Sequence, residues 1–208
     1  MSTDALIKKI IANYSNVMQE NLLTGNLNDN VKNIIIQKTE ELKKNNIIID
    51  QSKSLTIYEL EDKATKLKEE QPTLGLIVID YLGLISSGKN QYNKNYRYLE
   101  IQEYTRRIHE LARKLNVAIV LLCQLNRKTE ERGDRPLLSD LRESGSIEQD
   151  ADLVLLLHSR NSKEFLTQSN TNLIIAKNRN GRTGEIKFTF KKEYCQFEEQ
   201  KEEFEKKI

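Results

Sequence analysis

Residues 75–82 read GLIVIDYL, a continuous apolar run that is rich in β-branched residues and closes on Asp80. Such runs are typical of strands that are buried on both faces in a parallel sheet. Two further runs of this kind follow, VAIVLLCQL at 117–125 and DLVLLLHS at 152–159. Because strand-like and helix-like stretches alternate along the chain, the sequence predicts an α/β fold with a mostly parallel sheet flanked by helices.

The helical patterns are bounded by recognisable caps. Thr56 and Glu59 have the spacing of a capping box, in which each side chain bonds the backbone N–H of the other residue. Ser2 or Thr3 is the predicted cap of the first helix. The predicted helices are 4–23, 31–44, 56–71 and 97–116.

Shorter features lie between the helices and after the last strand. Residues 46–50, NIIID, are predicted to form a short strand. Residues 172–190 have the pattern of a C-terminal β-hairpin that turns at Asn180-Gly181. Residues 198–208 are rich in charge and have no face that could pack, so we interpret them as a charged tail.

The composition limits the class of protein. A chain of 208 residues is long enough for one α/β domain with a real core. Its 33 basic and 31 acidic residues leave a net charge of +2, which argues neither for nor against nucleic acid. Cys123 and Cys195 are far apart and suggest neither a disulfide nor a zinc site. No apolar run approaches the ~20 residues that span a bilayer, so we expect an intracellular protein with no membrane partner.

Residues 83–90, GLISSGKN, contain most of a phosphate-binding P-loop, whose full pattern ends in Ser or Thr. A P-loop requires a helix to begin directly after its lysine, so that the helix N-terminus faces the phosphates. Here Asn90 stands at the position of the hydroxyl that binds Mg²⁺, and the residues that follow start a helix poorly. The preceding strand also already closes on Asp80, which is how an NTPase presents its Walker B carboxylate. We therefore expect 83–90 to be a surface loop.

Polar side chains follow the predicted strands. Asp80 ends the first strand, and Gln124 ends the next, where an amide could sense a γ-phosphate or orient a water molecule. Taken alone, Asp80 could be a turn cap and Gln124 an ordinary polar residue at a strand end. Their combination is typical of the nucleotide-binding edge of an NTPase sheet.

Two basic groups lie further along the chain. Arg142 and Gly145 flank a short turn that can approach another backbone closely. Lys177 and Arg179 are two residues apart on a strand and so lie on one face, beside a hairpin tip that could cross a subunit boundary. The alternatives are a surface ion pair between Arg142 and Glu143, worth about 0 to 1 kcal/mol, and a solvated face at Lys177 and Arg179.

At these residues the sequence resembles the replicative DNA helicases of the DnaB family, specifically their RecA-like helicase domain. The resemblance covers the chain up to about Phe197, which predicts a helicase ATPase domain at 1–197 and a tail at 198–208. The run at 139–152, SDLRESGSIEQDAD, is highly specific to this family. The matching runs are LIVIDYLGL at 76–84, LLCQLNR at 121–127, SDLRESGSIEQDADLVL at 139–155 and AKNRNGRTG at 176–184.

The resemblance implies a hexameric ring that hydrolyses ATP at subunit interfaces and moves 5′ to 3′ along single-stranded DNA. It implies ATP and Mg²⁺ as cofactors. Asp80 then corresponds to the catalytic Walker B carboxylate and metal ligand, and Gln124 to the residue that couples the γ-phosphate to the DNA loops. The implied location is the cytoplasm, at the nucleoid, or the stroma or matrix if the gene is in an organelle.

The remaining site residues take their implied roles from the same resemblance. Arg142, Glu143 and Gly145 fall in the run that resembles the loop contacting the DNA backbone. Lys177 and Arg179 resemble the basic finger pair that reaches the nucleotide of the neighbouring subunit. In related phosphoryl-transfer systems, such a finger supplied by a neighbour contributes about 10³ to 10⁵ in rate.

The sequence also departs from the family. The first βαβ unit of the family, with its P-loop and catalytic glutamate, has no counterpart here, so the predicted fold is incomplete at its N-terminal βαβ unit. We expect the isolated chain to expose an apolar sheet face, to aggregate or need a partner polypeptide, and not to hydrolyse ATP alone. Gly83 stands where the family usually has Gln, and Arg182 where it often has Pro.

Two hypotheses about function stay open on the sequence. In the first, the chain is part of a replicative helicase and acts in a homo-hexamer or with the missing N-terminal helicase portion. In the second, it is a non-hydrolytic ring subunit or a module that binds single-stranded DNA. A recombinase or another RecA-like ATPase is a third possibility, which the run at 139–152 opposes.

Overall fold

The computed structural model describes residues 2–52, 54–86, 97–126, 129, 135–141, 144–159 and 167–200. The chain divides into two compact units, where the sequence predicted one domain. The first unit takes the described parts of residues 1–51, 157–174 and 185–208, and the second those of 52–156 and 175–184. Each unit combines separated stretches of the chain. The division between the units therefore does not fall at a single linker that the composition could have indicated.

Three helices open the first unit. The hydroxyl oxygen of Ser2 accepts a hydrogen bond from the backbone N–H of Ala5 at 3.3 Å, which confirms Ser2 as the cap. The single helix predicted for 4–23 is wrong, because the chain turns at Asn16, whose φ of 54° is left-handed. Asparagine is one of the few residues that adopts this conformation readily. The helices are α1 (Thr3–Ser15), α2 (Gln19–Thr24) and α3 (Asp29–Lys43).

The second unit contains the other helices of the described residues. Thr56 and Glu59 form the predicted capping box, since the Thr56 hydroxyl accepts from the Glu59 N–H at 3.2 Å and the Glu59 carboxylate accepts from the Thr56 N–H at 2.7 Å. None of the helices in the described part of the chain is long and apolar enough to cross a membrane. These helices are α4 (Ile57–Glu70), α5 (Arg97–Leu115) and α6 (Ser144–Asp150), with short 3₁₀ turns at 82–84, 138–140 and 192–194.

The strands form three sheets within the described residues. The strand β1 pairs with β3, and β2 pairs with β4, both in parallel. A third sheet has the order β5-β6-β7-β8. The parallel pairing confirms the predicted fold class, and β6 and β7 form the predicted hairpin. The strands are β1 (Leu55–Thr56), β2 (Leu76–Ile79), β3 (Ile85–Ser86), β4 (Ala118–Leu121), β5 (Leu153–Ser159), β6 (Gln168–Asn178), β7 (Gly184–Lys191) and β8 (Gln196–Glu199).

Two stretches differ from the predicted pattern. Residues 46–50 do not form a strand, and Ile47 and Ile48 are more than half exposed, so this apolar run has no sheet to join. The chain around Phe197 is more ordered than a charged tail. Residues 196–199 form β8, which pairs antiparallel with β7, and the ring of Phe197 stacks on that of Phe190 at 4.5 Å. The predicted tail therefore begins inside a strand, and residues 201–208 lie outside the described residues.

One face of the β2–β4 pair is covered and the other is exposed. The buried face of α5, which includes Tyr104 and Ile108, belongs to the core of this unit. On the strands, alternate apolar side chains are 42–57% exposed, so the prediction of burial on both faces is wrong for this pair. The exposed side chains are Leu76, Val78, Val120 and Leu122.

Arg107 ties α5 to α4. Its Nε donates to Glu61 Oε1 at 2.9 Å and its Nη2 to Glu61 Oε2 at 2.5 Å. The guanidinium also lies 4.3 Å from the ring centroid of Tyr58. Both charged side chains of the pair are about three-quarters buried, with exposures of 22% and 25%. The two hydrogen bonds are therefore better shielded from solvent than those of a surface pair.

We predict that Arg107→Ala lowers the free energy of unfolding by about 1 to 3 kcal/mol, because it removes two charge-assisted hydrogen bonds and leaves Glu61 unpaired. Urea unfolding followed by circular dichroism measures the change. Arg106→Ala is the matched control, since its pair with Glu110 is 57% and 61% exposed and worth about 0.5 kcal/mol or less. Equal effects of the two substitutions would contradict the prediction.

Candidate functional site

The carboxyl ends of β2 and β4 meet at one edge of their sheet. The two strands stay in register to their last residues, and the hydrogen bonding continues beyond them. The N–H of Leu122 donates to the carbonyl of Ile79 at 3.0 Å, and the N–H of Leu82 donates to the carbonyl of Leu122 at 3.0 Å. Asp80 therefore follows β2 beside Leu122, and Gln124 lies two residues further along the neighbouring chain. The structure brings these two predicted site residues to the same edge.

Asp80 presents an exposed carboxylate at this edge. Its side chain makes no hydrogen bond or ion pair with the described residues, and neither does the exposed amide of Gln124. The Asp80–Tyr81 peptide is cis. By the alternation along β2, Asp80 lies on the same exposed face as Val78. The carboxylate is thus available to a ligand on that face.

The donor set at this edge suits Mg²⁺ shared with a nucleotide. Mg²⁺ in such sites is usually held by one or two carboxylates, several waters and the phosphate oxygens of the substrate. Across the described ranges no three or more His, Cys, Asp or Glu residues cluster as a metal site. The single exposed carboxylate of Asp80 is compatible with a site of this kind.

A cavity of about 240 Å³ lies beside Gln124. Its walls come from the chain that follows β2, from the chain that follows β4, and from α5 and α6. The cavity is lined by Tyr81, Leu82, Gly83, Arg97, Ile101, Cys123, Gln124 and Ile147. The side chains of Gln124 and of Ile147 on α6 therefore line the same cavity.

Gly83 is a glycine because the ring of Tyr81 lies against it. A Cβ built on Gly83 would lie 2.4 Å from Cε2 of Tyr81 and 3.1 Å from Cδ2, closer than atoms can pack. A larger side chain at this position requires the Tyr81 ring to move.

Lys177 and Arg179 lie together at the carboxyl end of α6. The Lys177 ammonium donates to the carbonyls of Glu148 and Gln149. Arg179 donates through Nη1 to Asp152 Oδ1 at 3.0 Å and through Nη2 to the carbonyl of Gln149 at 2.5 Å. The two side chains therefore meet at the same helix end, although Arg179 follows β6 and does not lie on the strand as predicted. Cations are favoured here because the last carbonyls of a helix carry partial negative charge.

The last residue of α6 is also bonded to α5. The hydroxyl of Thr105, which is 5% exposed, donates to Asp150 Oδ2 at 2.6 Å. This contact holds the carboxyl end of α6 independently of the basic pair. The end of α6 at which Lys177 and Arg179 bind is therefore fixed from two sides.

The predicted DNA-contact run is described only in part. Gly145 lies in the first turn of α6, and a Cβ built on it would contact the hydroxyl of Tyr98 at 3.6 Å, an ordinary distance. Arg142 and Glu143 lie outside the described residues, as do residues 87–90 of the stretch with a P-loop-like pattern. Their assigned roles stay predictions.

Sequence reasoning did not connect Asp152 with Arg179. The link depends on β5 and β6 being neighbours in the sheet, which places the residue before β5 beside the residue after β6. The backbone N–H of Arg179 donates to the carbonyl of Asp152 at 2.9 Å. Asp152 lies within the family-specific run, so the run drew attention to this segment, but nothing local indicates which basic residue it meets.

The comparisons with known proteins agree on one family. A family model described as the DnaB-like helicase C-terminal domain matches residues 1–199. The replicative DNA helicase DnaC of Bacillus subtilis (strain 168) is 38% identical over 201 residues, which are 95% of this chain and 43% of that protein. The replicative DNA helicase DnaB of Geobacillus stearothermophilus is 39% identical with the same coverage. The chain thus spans less than half the length of these curated relatives.

Two solved structures share the fold. One is a DnaB-like replicative helicase studied with its interactions with primase, with a TM-score of 0.83, 29% identity, and coverage of 95% of this chain and 48% of the other. The second is an ATPase domain, with a TM-score of 0.84, 30% identity, and coverage of 95% and 70%. These matches confirm the predicted RecA-like α/β architecture.

We predict that Cys123 reacts slowly with iodoacetamide in the folded protein. Burial raises the pKa of its thiol to about 11, and only the thiolate reacts. A rise of about two units in pKa lowers the thiolate fraction at pH 8 about hundredfold. Mass spectrometry of the Cys123 peptide measures the rate, which we expect to keep increasing up to about pH 11. A folded protein that reacts as fast as a urea-unfolded one would contradict the prediction.

Proposed function

The chain belongs to the DnaB-like helicase C-terminal domain family, and from this premise we propose that it supplies the ATP-hydrolysing motor of a replicative DNA helicase. The proposed activity is 5′ to 3′ unwinding of duplex DNA by a hexameric ring. One observation supports it above the others: the exposed carboxylate of Asp80, without a partner among the described residues, lies at the same carboxyl edge of two parallel strands as Gln124. Ligands of open α/β sheets bind at this edge.

Asp80 and Gln124 take distinct roles in this proposal. Asp80 is the residue that would hold Mg²⁺, and the ion, when bound with ATP, would supply neutralisation of the charge that develops during phosphoryl transfer. Gln124 would donate its amide N–H to the γ-phosphate. It also lines the cavity together with Ile147 of α6.

Lys177 and Arg179 serve the nucleotide of a neighbouring subunit. Lys177 lies near the end of β6 and Arg179 directly follows the strand, and both side chains donate to carbonyls of α6. Arg179 is 45% exposed, so part of its guanidinium is accessible to a second chain. The phosphate cradle and the general base would come from polypeptide beyond the part of the relatives that this chain matches, or from a partner subunit.

Single-stranded DNA is the proposed track. Arg142, Glu143 and Gly145 contact its sugar-phosphate backbone, the Arg through charge and the Gly by allowing close approach. The proposed location is the cytoplasm, at the nucleoid. Two relatives are named as replicative DNA helicases, those of Bacillus subtilis and Geobacillus stearothermophilus, which supports a role in replication for this chain.

We predict that Asp80→Asn lowers Mg²⁺-dependent ATP hydrolysis about hundredfold or more, because the metal ion loses its charged protein ligand. The measurement is steady-state phosphate release by the full assembled protein with single-stranded DNA. Asp62→Asn is the matched control, since Asp62 lies on the exposed side of α4 and pairs with Lys66 at 2.8 Å. Asp80→Asn activity equal to that of the wild type would overturn the proposed role.

The same assay separates the two functional hypotheses. A wild-type protein that binds single-stranded DNA but releases no phosphate would favour the non-hydrolytic module instead. Release that depends on Mg²⁺ and Asp80 would favour the motor.

We predict that Arg142→Ala weakens binding to single-stranded DNA of every sequence, because the residue is proposed to contact phosphate. The logarithm of the binding constant should also fall less steeply with the logarithm of salt concentration, by about 0.7 for each phosphate that the variant no longer neutralises. Fluorescence anisotropy at several salt concentrations measures both quantities. An unchanged slope would argue against a phosphate contact at this position.

A further inference from the structure

Asp152 contacts Arg179 in two independent ways. Its carboxylate Oδ1 accepts from Nη1 of Arg179 at 3.0 Å, and its backbone carbonyl accepts from the backbone N–H of Arg179 at 2.9 Å. The backbone contact sets where the residue lies, and the side-chain contact sets where its guanidinium points. Asp152 therefore contributes to both the position and the direction of this arginine, together with the carbonyl of Gln149.

The Asp152 carboxylate is itself held. Its second oxygen, Oδ2, lies 3.6 Å from Nε2 of His109 on α5. Each carboxylate oxygen thus faces a different basic side chain. An acceptor with neighbours on both sides samples fewer orientations than an isolated one, and so holds an arginine more precisely.

The guanidinium keeps donors for a further ligand. An arginine side chain has five N–H donors in a fixed plane. In Arg179, one donor is bonded to Asp152 and one to the carbonyl of Gln149. About three donors remain, and the side chain is 45% exposed. The intrachain contacts therefore orient the guanidinium without using up its capacity to bind an anion.

We propose that Asp152 is a positioning residue that orients Arg179 toward a phosphate of the nucleotide bound by a neighbouring subunit. This inference rests on the proposed function, in which Arg179 is the finger. Asp152 does not touch the nucleotide, and it acts through Arg179. Its contribution is to reduce the number of orientations that the guanidinium samples before phosphoryl transfer.

We predict that Asp152→Ala lowers kcat for ATP hydrolysis by the full assembled protein about ten- to hundredfold. The KM for ATP should change less than about twofold, because the finger acts mainly in the transition state. Adding Asp152→Ala to Arg179→Ala should cause less than about a twofold further loss, since a positioning residue has no effect once its target is gone. The four kcat values form a double-mutant cycle.

Two further variants keep the test decisive. Asp152→Asn retains the shape of the side chain and one oxygen acceptor, so it is used if Asp152→Ala unfolds, and we expect a smaller loss of kcat at unchanged KM. Glu110→Ala is the matched control, because it removes an exposed carboxylate next to His109 that pairs with Arg106 at 2.6 Å. Its kcat should equal that of the wild type.

The outcomes separate this inference from the function on which it rests. A wild-type protein that hydrolyses no ATP would overturn the proposed function, and the role of Asp152 with it. Hydrolysis that survives both Asp152 substitutions, or losses from Asp152→Ala and Arg179→Ala that multiply, would overturn the positioning role alone. A loss confined to KM would also overturn it.

Discussion

Parallel pairing of β2 with β4 is the constraint on which the site depends. Parallel neighbours run in the same direction, so the residues that follow them meet at one edge of the sheet. The register continues past the last strand residues, and the N–H of Leu122 still bonds to the carbonyl of Ile79. A shift of one residue would turn Asp80 to the opposite face and separate it from Gln124. The local chemistry of the site is thus a consequence of backbone hydrogen bonding.

Features with a local cause could be predicted from the sequence. The capping box at Thr56 is readable because its two partners are three residues apart, and the strands β2, β4 and β5 because β-branched residues favour a pleated backbone. The approach of Asp80 to Gln124 followed from one rule about parallel strands. The two-residue period of a strand brought Lys177 and Arg179 together only in part, because β6 ends at Asn178 and Arg179 lies in the turn.

Features that depend on distant contacts could not be predicted. The apolar residues keep their helical spacing on both sides of Asn16, yet the helix ends there. The left-handed backbone of Asn16 interrupts the helical hydrogen bonds, and the spacing of apolar residues does not reveal this. The isoleucines of 46–50 have the composition of a strand but pair with no strand among the described residues. The bond between Asp152 and Arg179 joins residues 27 positions apart and requires the order of strands in the sheet.

The attachment of α6 determines how movement passes along it. A helix of seven residues is about 10 Å long and too short to bend appreciably. Thr105 holds it at Asp150, close to the basic pair, whereas Gly145 is at the other end. If α6 tilted about that attachment, Gly145 would move further than the carbonyls that accept from Lys177 and Arg179. A displacement near Gly145 would then reach the Arg179 guanidinium in reduced form.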